Sequence, residues 1–177
     1  YCNNHVNLYT VDLICHGTPS VKILLKYLEE CGYSIEKIQD IRFRNKGDFG
    51  ISINGERIVC SRVIDEYMCG FLESINYTEN CYNCQFATIK RVSDVSLGDS
   101  WGSELEEESL KGISLVLTQT EKGKELLKLA DLCLHDVNSE KAISNNKQLK
   151  HPSVMKRSRK IYIWMLKKNF SVRFASR

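Results

Sequence analysis

The sequence predicts a mixed α/β (α+β) fold: a central mixed β-sheet with flanking helices and a C-terminal basic helix. Three observations carry this. A strand-like run over residues 7–15 passes through a glycine-containing break into helical spacing. Two alternating runs flank Asn54-Gly55, a hairpin dipeptide. A late strand-like run over 113–118 again hands over to a helix.

Taken in order, Asn7-Leu-Tyr-Thr-Val-Asp-Leu-Ile-Cys15 is rich in β-branched and aromatic residues and reads as a strand buried on both faces. It stops at His16-Gly17-Thr18-Pro19-Ser20. Ser20 is a candidate cap for a helix over 21–31, whose Ile23, Leu24, Tyr27 and Leu28 recur at helical spacing, and Gly32 ends it. Cys15-His16-Gly17 then sits at the carboxyl end of a strand, where helix N-terminal amides face a ligand crevice. The commoner role of an isolated cysteine is that of a small buried hydrophobe.

Residues 38–43 alternate as a strand, 49–53 follow, and Asn54-Gly55 turns the chain back antiparallel over 56–60. Val63, Ile64, Tyr67, Met68 and Phe71 predict a helix over 61–71 with Ser61 as its cap. Cys60 and Cys69 fall inside these elements as packing residues. Residues 72–91 show no clean period, as in a loop shaped by what it binds. A short strand over 92–97 ends at Gly98-Asp99-Ser-Trp101-Gly102, where glycines let backbone approach a ligand and Trp101 can stack on a flat ring. A turn with a core tryptophan is the plain structural alternative. The acidic stretch 104–108 reads as a solvated face. Thr120-Glu-Lys-Gly123 opens a helix to about Cys133, with Thr120 as its cap or as part of a phosphate site. Pro152-Ser153 opens a basic helix to about Lys168, expected to dock through Ile161, Ile163, Trp164 and Leu166 while its lysines and arginines face water.

The chain has 177 residues and 42% hydrophobic composition, which suits a single domain over 1–177. It starts at Tyr1 and enters a strand-like run almost at once, as expected of a C-terminal fragment of a longer protein. No stretch approaches the roughly 20 apolar residues of a membrane span, so no membrane span is expected. Eight cysteines at irregular spacing read as reduced thiols in a cytoplasmic protein rather than as a secreted disulfide framework. Charge is lopsided. Residues 1–140 hold all 22 acidic residues and 14 basic ones, a net −8, while the 11 basic residues after Glu140 have no acid among them. Such polarity marks a nucleic-acid or membrane-surface arm, or a basic helix lying on an acidic body. The last is the expectation, and nucleic acid is not an expected partner.

Cys81-Tyr-Asn-Cys84 is the stretch with the most specific chemistry, because two thiols separated by two residues can turn toward one point. Structural zinc needs a second close pair, which is absent. A redox pair of the thioredoxin kind wants its first cysteine at a helix start after a strand, and here an irregular stretch precedes it. A cubane iron–sulfur cluster gathers ligands from distant segments, and Cys15 with Cys81 and Cys84 supplies three of four. Cys69, Cys60 or a residue elsewhere would be the fourth.

These motifs in this order, Cys15-His16-Gly17-Thr18-Pro19-Ser20, Cys81-Tyr-Asn-Cys84-Gln-Phe-Ala, Arg91, Asp94, Gly98-Asp99-Ser-Trp101-Gly102, Gly112-Ile-Ser114 and Thr120-Glu-Lys-Gly123, resemble the C-terminal region of the coenzyme F420 hydrogenase/dehydrogenase beta subunit family. The resemblance implies an iron–sulfur flavoprotein module, part of an oxidoreductase. In it a hydride moves between coenzyme F420, or another carrier, and FAD, and a [4Fe–4S] cluster relays electrons to a redox partner protein. It further implies metal ligation by Cys15, Cys81 and Cys84, and cofactor contacts from Gly17, Thr18, Arg91, Asp99, Trp101 and Thr120. It points to no catalytic residue. From a different class, the alternative is a binding or scaffold module that keeps the fold without redox work, such as one associated with polysaccharide biosynthesis.

Overall fold

In the computed structural model, which describes residues 7–45, 48–58, 64–105 and 112–176, Asn54 and Gly55 both adopt positive φ, 51° and 87°. That backbone makes a tight two-residue turn and joins two antiparallel strands as the dipeptide requires. Among the described residues the order is β1 (Val11–Leu13), α1 (Val21–Glu30), β2 (Ile41–Asn45), β3 (Asp48–Ile53), β4 (Glu56–Arg57), α2 (Glu66–Leu72), β5 (Val95–Asp99), β6 (Ser114–Thr118), α3 (Glu121–Leu129), α4 (Ser139–Asn145), α5 (Arg157–Lys167) and α6 (Val172–Ala175). Short 3₁₀ turns lie at Ile35–Lys37, Glu79–Asn83 and Lys147–Leu149. The architecture is mixed α+β, its strands divided between two three-stranded sheets.

The chain forms two compact units, each built from two separate stretches of sequence: Tyr1–His16 with Cys84–Pro152, and Gly17–Asn83 with Ser153–Arg177. The second holds an extensive apolar core. Its antiparallel sheet β2-β3-β4 presents Ile51 and Ile53, which pack with Ile23, Tyr27 and Leu28 of α1, Tyr67 and Met68 of α2, Tyr162 of α5 and Val172 of α6. The α1 spacing is therefore a true amphipathic face, although Ser20 at its N-cap position makes no side-chain cap bond. The expected cap of the next helix, Ser61, and Cys60 lie outside the described residues. Asp65 caps α2 instead, accepting from Met68 N–H at 2.8 Å, while its other oxygen accepts from Ile51 N–H at 3.0 Å. One buried carboxylate thus fastens a helix start to the central strand of the sheet.

Helix α5 docks, but by a different face from the one its apolar residues suggest. Arg159, Tyr162, Ile163 and Leu166 follow the i, i+3, i+4, i+7 rule and turn inward, with Arg159 and Tyr162 buried and the other two packed on the core. Ile161 and Trp164 lie across the helix and are exposed.

In the other unit the sheet is mixed: β5 pairs parallel with β1, Val95 opposite Val11, and antiparallel with β6, Val95 opposite Thr118. Strand β1 is expected to be buried on both faces and is not; among the described strands it pairs with β5 alone and so forms an edge, and Val11 and Leu13 are exposed. Helix α3 starts where expected, with Thr120 Oγ1 accepting from Gly123 N–H at 3.1 Å. It stops at Leu129, short of Cys133, because Leu129, Leu132 and Leu134 are all exposed and a longer helix would bury nothing.

Candidate functional site

The Cys81 thiol is held by backbone rather than by other side chains of its own motif. Residues 18–20 run antiparallel to 76–78, through a Pro19–Tyr77 bridge, Thr78 N–H to Thr18 O at 2.9 Å and Ser20 N–H to Asn76 O at 3.1 Å. This pairing brings Thr18 over the 3₁₀ turn that carries Cys81, and Thr18 N–H donates to Cys81 Sγ at 3.2 Å. Thr78 Oγ1 lies 3.6 Å from the same sulfur and Thr18 O 3.8 Å. A backbone N–H aimed at sulfur suits an acceptor carrying negative charge, as a metal-bound thiolate does. Gly17 makes the approach possible. A Cβ there would sit 2.1 Å from the Tyr77 ring, inside any allowed contact.

Arg159 of α5 braces this turn from behind. It is 8% exposed, and its guanidinium donates to Tyr82 Oη at 2.9 Å and Tyr77 O at 3.0 Å, and pairs with Glu79 at 2.9 Å. Tyr82 Oη in turn donates to Ser74 O at 2.5 Å. Burial pushes the Tyr82 hydroxyl pKa up, opposed by the Arg159 charge. Beside Pro19, a cavity of about 220 Å³ is lined by Pro19, Phe43, Tyr67, Met68 and Phe71.

The remaining candidates lie in the unit that contains the mixed sheet. Cys15 follows β1 and is exposed, and Cys84 is half-buried with its carbonyl accepting from Ala87 N–H at 3.2 Å. The Arg91 side chain is 5% exposed and donates to Asp12 Oδ2 at 2.9 Å and Leu13 O at 3.3 Å, so it clamps β1. Burial pushes the Asp12 carboxyl up, yet hydrogen bonds from Ser96 and Arg91 outweigh it and hold the carboxyl below the usual range. Thr120 Oγ1 donates to Asp94 Oδ1 at 2.7 Å, while Asp94 Oδ2 accepts from Thr10 N–H and Oγ1, both at 2.8 Å. One carboxylate therefore joins the approach to β1, the start of β5 and the cap of α3. Asp99 ends β5, and its carbonyl accepts from Trp101 N–H at 3.0 Å. Trp101 is partly exposed beside a cavity of about 90 Å³, below the roughly 300 Å³ at which small-molecule pockets begin. A ring on Trp101 would rest on its open surface.

Of the residues singled out in the sequence, then, Gly17, Thr18 and Cys81 meet at one place, and Arg91 and Thr120 both take part in the bonding of the mixed-sheet unit. Among the described residues no group of three or more His, Cys, Asp or Glu is gathered as a metal ion needs. What the described residues do offer is one prepared sulfur, that of Cys81. Thr78, Tyr77 and Arg159 carry no local sequence signal beyond a threonine three residues ahead of Cys81, and sequence reasoning does not reach them.

Residues 3–141 match the family described as the C terminus of the coenzyme F420 hydrogenase/dehydrogenase beta subunit. The chain belongs to this family. The matched span of the F420 hydrogenase/dehydrogenase family takes in every cysteine and cofactor candidate named above and stops before α5 and α6. No curated protein and no solved structure matches the chain. No helix among the described residues is long and apolar enough to cross a membrane.

Proposed function

We propose that this chain is the C-terminal part of an electron-transfer oxidoreductase subunit. It would serve the exchange of hydride or electrons between coenzyme F420 or another carrier, FAD and a [4Fe–4S] cluster, with a redox partner protein in the cytoplasm. Family membership supports the reaction class. The single observation that supports a metal-bound sulfur is the Thr18 N–H directed at Cys81 Sγ. In this reading Cys81 is a cluster ligand, Cys84 and Cys15 are further ligands, and the rest of the set comes from Cys60, Cys69 or the longer protein. Gly17 and Thr18 act on the cofactor side as the backbone that orients the sulfur, and Asp99 and Trp101 offer an exposed edge to a ring. Anaerobic purification of the full-length protein with iron, sulfide and flavin analysis tests it. The expected outcome is stoichiometric iron and flavin in the wild type and loss of iron, with the fold kept, in Cys81→Ser. Absence of iron, sulfide and flavin from the wild type overturns the proposal.

A second reading, a binding or scaffold module with the redox function lost, is favoured by Arg91 and Thr120, whose side chains are engaged in bonds that hold β1 and α3. A folded, cofactor-free wild type would select it.

A further inference from the structure

Helices α5 and α6 lie beyond the family match and carry a surface that the proposed redox function does not use. On α5 Arg157, Lys160, Ile161, Trp164 and Lys167 fall on one face at 3.6 residues per turn, Lys168 at the C-cap continues it, and all are exposed. The row of apolar side chains continues past the helix end. Trp164 stacks on Phe170 with ring centroids 6.5 Å apart, and Phe170 on Phe174 at 5.7 Å. Ile161, Trp164, Phe170 and Phe174 remain 62%, 56%, 42% and 55% exposed. Among the described residues none of the four cations on this face is in an ion pair, and no acidic residue follows Glu140.

We propose that this face docks on an anionic lipid bilayer. Its charge complements a surface of one sign, and three aromatic rings with an isoleucine supply the apolar contact that interfacial binding needs. The arrangement fits lipid better than the other anionic partners. Phe170 has a ring stacked on each side, so the ladder offers few open faces for a nucleobase to stack on. The lysines alternate with the apolar residues instead of forming a rim. Protein interfaces deplete lysine at their centres, whereas in a fluid headgroup layer each long side chain finds its own phosphate.

Sedimentation of the full-length protein with phosphatidylcholine vesicles, with and without roughly one-third phosphatidylserine, tests this. Binding is expected to the anionic vesicles only, and to fall with added salt. Each of Lys160→Gln, Lys167→Gln and Lys168→Gln should weaken it about fivefold. Brominated acyl chains should quench fluorescence in the wild type and not in Trp164→Phe, a measurement that stands even if the combined Trp164→Ala, Phe170→Ala, Phe174→Ala variant fails to fold. Absence of binding at low salt, equal binding to neutral vesicles, or a salt-sensitive affinity for nucleic acid or an acidic protein that vesicles do not compete overturns the proposal.

Discussion

At Gly17 one missing side chain decides the geometry around a sulfur. The Tyr77 ring occupies the space a Cβ would take, and the next residue's amide is the one that reaches Cys81. Gly17→Ala must push these segments apart, at a cost of about 1–3 kcal/mol. The expected outcome is a lower melting temperature together with a changed rate of Cys81 alkylation at one fixed pH; an unchanged rate would mean that the Thr18 contact is incidental. Asp94 gives a second prediction at this scale. The Thr120 hydroxyl, then the Thr10 N–H and hydroxyl, hold its pKa at about 2. An unfolded carboxyl titrates near 3.9, so the unfolded chain takes up the proton first as pH falls. The stabilisation is complete above about pH 4 and disappears toward about pH 2. Wild type should therefore lose more melting temperature across that interval than Asp94→Asn, and parallel curves for the two proteins would refute the assignment.

Among the elements, α6 has four residues and cannot hold itself together by helix propensity. A carboxylate from α1 anchors it: Val172 N–H donates to both Glu30 oxygens at 2.9 Å, and Ser171 Oγ accepts from Phe174 N–H at 3.1 Å. Negative charge at a helix start is favourable both as a hydrogen-bond acceptor and against the helix dipole. Glu30→Ala should cost about 1–2 kcal/mol in denaturant unfolding and speed hydrogen exchange at the Val172 amide. Helix α5 depends on Arg159 in a different way. Its buried guanidinium holds two carbonyl or hydroxyl oxygens and a mostly exposed carboxylate, and the last contributes little because water screens it. Replacing Arg159 by alanine removes its bonds to Tyr77 O and Tyr82 Oη and leaves the Tyr82 hydroxyl with its bond to Ser74 O, a loss of about 1–3 kcal/mol in denaturant unfolding.

For the whole chain, the consequence of two units each built from two stretches is that the end of the sequence completes the core begun near its start. Tyr162 and Val172 are almost fully buried in the core that holds Ile23, Tyr27 and Ile51. A protein cut after Pro152 should lose slow hydrogen exchange over α1 and β3, and retention of that protection would show that α5 and α6 are dispensable. What the sequence determines by itself is local. Helix α1 announces itself by spacing, the β3–β4 hairpin by Asn54-Gly55, and α3 by Thr120 and Gly123; the ordered motifs disclose the family. Those signals lie within a turn or two of chain, where backbone chemistry and side-chain period act directly. Which face of α5 turns inward, why β1 is an edge, and which amide meets the Cys81 sulfur were settled only in three dimensions. Thr18 and Cys81 are 63 residues apart, and Thr10 and Asp94 84. No local pattern names partners across such gaps, because they meet only after separately formed surfaces have packed.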